Sequence, residues 1–203
     1  LFNRLTGADL YSANQLFATL DPTMRRLELP GSKPAVLVDT VGFIRDLPHK
    51  LIDAFHATLE ETEQADLLLQ VIDIADPNWR DHAFSVELVL DEIGAEKIPK
   101  IQVFNKIDLQ QGWQAKADYQ TETAKVWLSS HTGEGLDLLR TAIVRQLYGA
   151  IIEEEIELAP HQGKLRAKLY ELDAVISETM LKEGGWRLLI RISQDEKQAL
   201  FTE

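Results

Sequence analysis

The sequence predicts an α/β protein built on a doubly wound, mostly parallel sheet with one antiparallel edge. Strand-like segments alternate with helical stripes up to Gly149. Residues 66–76 form a nearly continuous apolar run, which is typical of a strand buried on both faces. After Gly149 the pattern changes, and residues 151–203 favour a small β-α-β-β appendage. We therefore predict two domains, residues 1–149 and residues 150–203.

The first forty residues predict a helix, a loop and a hairpin. Leu1, Phe2 and Leu5 have helical spacing, and residues 16–23 have the composition of a loop. Two strand-like segments, residues 24–30 and 35–40, flank the sequence Pro-Gly-Ser-Lys-Pro, which predicts a β-hairpin.

The remaining predicted elements follow from periodicity and from terminating glycines. Helices are predicted where apolar residues recur every three or four positions, and Gly94 and Gly149 end two of them. These stripes are Leu51, Phe55 and Leu59; Trp79, Ala83, Val86, Leu90 and Ile93; and Leu136, Leu139, Ile143 and Leu147. Single strands are predicted at 99–105 and 124–130, and a hairpin at 174–181 and 186–193. Residues 150–158 are predicted to be a linker that leads into a strand, and residues 165–172 a short helix.

Composition excludes several classes of function. The 203 residues are 45% hydrophobic, enough for a core without disulfides, and contain no cysteine, which excludes thiolate catalysis and Cys-zinc sites. A net charge of −12 argues against a protein that binds DNA by bulk electrostatics. No apolar run approaches the roughly 20 residues of a membrane span. The absence of cysteine fits a cytoplasmic protein.

The strand at 99–105 ends in Asn105, Lys106, Ile107 and Asp108. Ligands of open α/β sheets bind beyond the carboxyl ends of strands. The Asp108 carboxylate can accept hydrogen bonds from the ring N–H and the exocyclic amine of guanine, a donor pair that adenine lacks. The Asn105 amide can tie the loop and reach the other edge of the base, and the Lys106 stem can cover the ring. The pattern therefore predicts guanine recognition.

Asp39 and Gly42 have the Asp-x-x-Gly spacing of a γ-phosphate sensor, in which the carboxylate holds Mg²⁺ through water. Because this spacing is common, context must decide. Asp91 and Gly94 share it but end a predicted helix, where Gly is an ordinary cap. Asp39 instead ends an apolar strand.

Two further positions are candidates for the same site. Thr19 can place its hydroxyl on Mg²⁺, with Thr23 as a competitor. Ser129 and Ser130 follow a strand, and their backbone N–H groups can donate to the guanine carbonyl.

The segments 1–30, 36–62, 103–108 and 128–135 together resemble the HflX GTPases, in the Obg-like branch of P-loop GTPases. The most specific segment is Asp-Thr-Val-Gly-Phe-Ile-Arg-Asp-Leu-Pro followed by Ala-Phe-His-Ala-Thr-Leu-Glu-Glu-Thr, and the resemblance covers about residues 1–150. It implies a P-loop GTPase-type sheet, GTP and GDP binding, Mg²⁺ and GTP hydrolysis. It also implies action on the large ribosomal subunit, with ribosome splitting under stress.

The resemblance assigns a role to each candidate residue. Thr19 and Asp39 become the magnesium-side residues of the first and second switch, with Gly42 beside Asp39. The guanine-recognising residues become Asn105, Lys106, Asp108, Ser129 and Ser130. Phe43 occupies the position where many GTPases place a water-orienting glutamine, so no catalytic residue is assigned.

One departure affects both fold and function. The sequence contains no Gly-x-x-x-x-Gly-Lys-Ser/Thr phosphate loop, which in this family would end just before Leu1, and it lacks the central strand that precedes that loop. We expect that strand to lie between 35–40 and 66–76 in a longer chain. We expect the 203 residues alone to be unstable and to bind GTP poorly. The rival hypothesis is a non-catalytic, nucleotide-sensing or scaffold module.

Overall fold

The computed structural model describes residues 1–7, 23–39, 64–121 and 123–202. The strands are β1 (Thr23–Leu27), β2 (Ala35–Asp39), β3 (Leu68–Asp73), β4 (Lys100–Asn105), β5 (Lys116–Asp118), β6 (Ala124–Trp127), β7 (Ile151–Leu158), β8 (Val175–Met180) and β9 (Trp186–Ser193). The helices are α1 (Phe2–Thr6), α2 (Trp79–Glu92), α3 (Leu136–Tyr148), α4 (Gly163–Glu171) and α5 (Gln194–Thr202). The helix predicted through Leu51, Phe55 and Leu59 lies outside the described residues.

The main sheet has four strands in the order β3-β4-β6-β5. Strands β3, β4 and β6 are parallel, and β5 pairs antiparallel with β6, so the predicted parallel sheet with one antiparallel edge is confirmed. Sequence reasoning missed β5 because three residues are too few to show an alternating pattern. In the parallel register Asp73 lies opposite Asn105, which places both side chains at the carboxyl edge of the sheet.

Strands β1 and β2 pair with each other in a separate two-stranded sheet, as the hairpin prediction required. Within the described residues β2 does not pair with β3. The expectation that one more strand belongs between them stays a prediction.

Apolar residues of β4 form the centre of the main sheet. Ile101 and Val103 are fully buried, and the Phe104 ring stacks on Trp127 with 4.8 Å between centroids. Trp79 of α2 meets Phe104 edge-on at 5.6 Å, which closes one side of the sheet. The prediction that β3 is buried on both faces is wrong for the described residues, because Val71 is 51% exposed there.

The C-terminal sheet is antiparallel with the order β7-β9-β8. Leu188, Ile190 and Ile192 of β9 are fully buried on one face and pack against Leu158 and Leu169, which confirms the predicted stripe. Residues 151–158 are a full strand rather than a linker. The exposed Glu residues alternate with half-buried positions and pair with basic residues of β9. Helix α5 was not predicted because its first turn is polar and only Leu200 joins the core.

The turn between β1 and β2 packs with the C-terminal sheet. The Gly31 N–H donates to the Leu172 carbonyl at 2.8 Å, and the Ser193 N–H donates to the Gly31 carbonyl at 3.0 Å. Gly31 has φ of +71°, and a Cβ at this position would collide with the Arg191 carbonyl oxygen. Lys33 forms a 3.1 Å ion pair with the buried Glu196. The turn is therefore part of the C-terminal fold although it lies far earlier in the sequence.

Packing divides the chain into two compact units. The first comprises Leu1–Leu27 and Val36–Leu139, and the second comprises Glu28–Ala35 and Arg140–Glu203. The division into a domain of residues 1–149 and a domain of residues 150–203 stays a prediction. Within the described residues, no helix is long and apolar enough to cross a membrane.

Candidate functional site

The Asn105 side chain joins two loops at the carboxyl edge of the main sheet. Its amide oxygen accepts a hydrogen bond from the Lys106 N–H at 2.8 Å and another from the Ser130 N–H at 2.9 Å. Asn105 is only 8% exposed, so both bonds are shielded from water. Because two N–H donors face the oxygen, the orientation of the amide is fixed and its NH₂ group points elsewhere as a donor.

The loop after β4 turns sharply at Lys106, which has φ of +69° in the left-handed region. Residues Ile107–Leu109 then form one turn of 3₁₀ helix, with Ile107 buried as the anchor. The Ile107 N–H donates to the Leu128 carbonyl at 3.3 Å. This turn separates the side chains of Lys106 and Asp108 from the strand and presents them at the edge of the sheet.

The loop after β6 is held by Ser129, whose side chain is fully buried. The Ser129 hydroxyl accepts from the Thr132 N–H at 3.0 Å, and the Ser129 N–H donates to the Glu134 carbonyl at 2.9 Å. The hydroxyl therefore closes the loop, while Ser130 points its N–H at the Asn105 amide. The structure thus brings together five predicted site residues: Asn105, Lys106, Asp108, Ser129 and Ser130.

Asp73 was missed by sequence reasoning. The Lys106 ammonium lies 2.6 Å from the Asp73 carboxylate, at the end of the neighbouring strand β3. The other carboxylate oxygen of Asp73 accepts from the Ala75 N–H at 3.0 Å. The sequence did contain a signal for Asp73, because residues 66–76 end in acidic residues at the same sheet edge as Asn105.

His131 and Arg4 were also missed as neighbours of the loops. His131 Nδ1 lies 3.8 Å from Asp108 Oδ2, and the ring is largely exposed. Arg4 of α1 donates to the His131 carbonyl at 2.6 Å. The carboxylate of Asp108 therefore has a titratable neighbour, and the loop after β6 is tied to the first helix.

Asp39 is the last residue of β2, as predicted, and is half-buried. The Asp39 carboxylate lies near Leu1, the residue that precedes α1. Thr19, Gly42 and Phe43 lie outside the described residues, and the competing Thr23 begins β1.

The alternative Asp-x-x-Gly pair, Asp91 and Gly94, forms the C-terminal end of helix α2. The Gly94 N–H donates to the Asp91 carbonyl at 3.1 Å, and Gly94 has φ of +73°. The next N–H, of Ala95, donates to the Leu90 carbonyl at 2.8 Å. These are the bonds of a glycine cap, so Asp91 is excluded as a candidate for the phosphate side.

The site offers a carboxylate acceptor, an amide donor and an ammonium group within two joined loops, which suits the edges and face of a purine. The described residues contain no cluster of three or more His, Asp or Glu side chains that could hold a metal. A hard carboxylate such as Asp39 fits Mg²⁺, which takes one or two protein carboxylates together with waters and substrate phosphates.

Two family models match the chain. The one described as a 50S ribosome-binding GTPase matches residues 1–106, and the one described as the HflX C-terminal domain matches residues 114–202. GTPase HflX of Escherichia coli (strain K12) is 45% identical over 194 residues, covering 95% of this chain and 46% of the relative. GTPase HflX of Caldanaerobacter subterraneus subsp. tengcongensis is 47% identical over 148 residues, covering 73% of this chain and 33% of the relative. The chain spans less than half the length of either.

Solved structures support the fold. A GTP-binding protein from Sulfolobus solfataricus in complex with GDP has a TM-score of 0.55 and 29% identity, covering 72% of this chain and 47% of that one. Era from Aquifex aeolicus, bound to GDP.AlF4-, has a TM-score of 0.52 and 22% identity, covering 71% of this chain and 51% of that one, and shows the fold alone. The fold is that of the P-loop GTPases.

Proposed function

Because this chain belongs to the HflX family of GTPases, we propose that it binds guanine nucleotides and hydrolyses GTP as part of a larger protein. The observation that carries the proposal is the Asn105 amide, whose oxygen joins the Lys106–Asp108 turn to the Ser129–Ser130 loop. An amide held in this way can donate to one edge of guanine while Asp108 accepts from the other.

We propose roles for the remaining loop residues as well. The Lys106 stem covers the base, and the N–H groups of Ser129 and Ser130 lie in the loop that faces the guanine carbonyl. The Ser129 N–H is already donated to the Glu134 carbonyl and the Ser130 N–H to the Asn105 amide oxygen, so a contact of either group with guanine would have to share or replace one of these bonds.

On the phosphate side, Asp39 is proposed to hold Mg²⁺ through water, Thr19 to place a hydroxyl on the ion, and Gly42 to donate to the γ-phosphate. Mg²⁺ in such sites neutralises charge that develops on the β- and γ-phosphates.

Hydrolysis is proposed to depend on a partner. The apolar side chain of Phe43 cannot orient an attacking water, so the free protein should turn over slowly. We propose the large ribosomal subunit as the activating partner, with ribosome splitting under stress and a cytoplasmic location as the cellular role. The matched family description names the 50S subunit, which supports this choice.

The test uses the loop-bearing chain, defined as residues 1–203 preceded by a strand and a Gly-x-x-x-x-Gly-Lys-Ser/Thr loop. GDP and ADP are titrated into it, and phosphate release from GTP is measured with and without purified large subunits. A preference for GDP and faster release with subunits support the proposal. Guanine binding without any turnover would favour the non-catalytic sensing module, and equal binding of GDP and ADP would refute both.

A further inference from the structure

We propose that Asp73 is a positioning residue for guanine-nucleotide binding, acting through the ammonium group of Lys106. The proposal rests on the proposed function, because it concerns the lysine assigned to the face of the base. It adds a residue outside the Asn-Lys-x-Asp segment, contributed by the neighbouring strand.

The geometry of the pair is set by the sheet. Asp73 ends β3, Asn105 ends β4, and the parallel register places the two directly opposite each other. The Ile74 N–H donates to the Asn105 carbonyl at 3.2 Å, which fixes the spacing of the chains immediately beyond the strands. Lys106 then enters its left-handed turn, and its ammonium reaches the Asp73 carboxylate at 2.6 Å.

The two carboxylate oxygens of Asp73 have different partners. Oδ1 accepts from the Ala75 N–H at 3.0 Å and holds the local turn, while Oδ2 faces the ammonium of Lys106. A free lysine side chain samples many rotamers, and fixing it on binding costs entropy. With its tip held by Asp73, the methylene stem of Lys106 is already extended across the edge of the sheet when a base arrives. Preorganisation of this kind raises affinity without adding a contact to the ligand.

The environment of the pair favours a positioning role over a stabilising one. The side chains are 43% and 41% exposed, and an ion pair this accessible to water contributes little to folding. The expected consequence of breaking the pair is therefore weaker nucleotide binding by a chain that remains folded.

The variant Asp73→Asn distinguishes the contact with Ala75 from the contact with Lys106. Asparagine keeps an Oδ1 acceptor for the Ala75 N–H but loses the negative charge that holds the Lys106 ammonium. In the loop-bearing chain it should weaken GDP binding about three- to fivefold, with turnover at saturating GTP unchanged. The preference for GDP over xanthosine diphosphate should also stay unchanged, since the edge of the base is recognised by Asp108.

Asp76→Asn is the matched control. Asp76 also accepts a local N–H, from Asn78 at 2.8 Å, and its second oxygen faces a different side chain, the His82 imidazole, at 3.2 Å. This variant should bind GDP like the wild type. Lys106→Met completes a double-mutant cycle, because methionine keeps an apolar stem and removes the ammonium.

The cycle decides the proposal. If Asp73 acts through Lys106, Asp73→Asn has no effect on GDP affinity in the Lys106→Met background. The same loss in both backgrounds, or no loss in the wild-type background, overturns the positioning role. These results differ from failure of the proposed function, in which the loop-bearing wild type itself would show no preference for GDP over ADP.

Discussion

The packing of the β1–β2 turn into the C-terminal sheet gives a quantitative prediction for Gly31→Ala. A left-handed φ costs an L-residue about 1–2 kcal/mol relative to glycine. The new Cβ would also collide with the Arg191 carbonyl oxygen and lie 3.3 Å from Ile192 Cα, both main-chain atoms of a central strand. Relieving that overlap requires a backbone shift that costs about 1–3 kcal/mol. We therefore expect the C-terminal unit to lose about 2–5 kcal/mol of unfolding free energy.

Gly149→Ala is the control because it shares the conformational cost without the main-chain collision. Gly149 has φ of +81°, and its added Cβ would lie 3.4 Å from a carboxylate oxygen of Asp195, a side chain that can move. The expected loss is about 1–2 kcal/mol. The assay is native-state hydrogen exchange at the amides of β9, among them Arg191 N–H, which donates to Ala174 at 2.8 Å. Equal losses for the two variants would refute the collision argument.

Three further predictions concern ion pairs and activation. Lys33→Met should destabilise the C-terminal unit by about 1–2 kcal/mol, because it removes the ammonium partner of the buried Glu196. Lys182→Met, at an exposed position, should not destabilise it, and thermal melts measure the stability of both variants. The Arg166 guanidinium lowers the pKa of Glu178 below its ordinary 4.5, so this pair stabilises the fold above that pH and stops doing so as pH falls through the lowered pKa. Glu178→Gln should therefore reduce stability in denaturant titrations at pH 7, with the difference shrinking at pH 3. Large ribosomal subunits should accelerate phosphate release from GTP, and Phe43→Ala should change that acceleration little.

Long periodic segments made most of the fold predictable. The stripe from Trp79 to Ile93 and the terminating Gly94 predicted α2 and its end, because a helix of four turns repeats its signal several times. The three-residue strand β5 and the polar start of α5 have no such repetition, and their structure depends on pairing and packing with distant segments. The acidic strand β7 was misinterpreted because its partners, Arg187 and Arg191, lie 30 and 38 residues away in sequence from the Glu residues they bind.

The residues of the candidate site were likewise predictable only in part. Asn105, Lys106 and Asp108 were predictable because three residue types at fixed spacing follow one strand. Asp73 was not, because its role depends on the order of strands in the sheet, and strand order is a property of tertiary structure. The positions of Thr19 and Gly42 stay predictions, since both lie outside the described residues.

The central claim is that the Asn105–Asp108 turn recognises guanine through the carboxylate of Asp108. The direct measurement is calorimetric titration of the loop-bearing chain, wild type and Asp108→Asn, with GDP and with xanthosine diphosphate. Replacing one carboxylate acceptor by an amide donor should weaken GDP binding by about 100-fold or more, because a donor then faces a donor. The same change should strengthen binding of xanthosine diphosphate, whose base has a carbonyl in place of the exocyclic amine. Equal GDP affinity for the wild type and Asp108→Asn would contradict the claim.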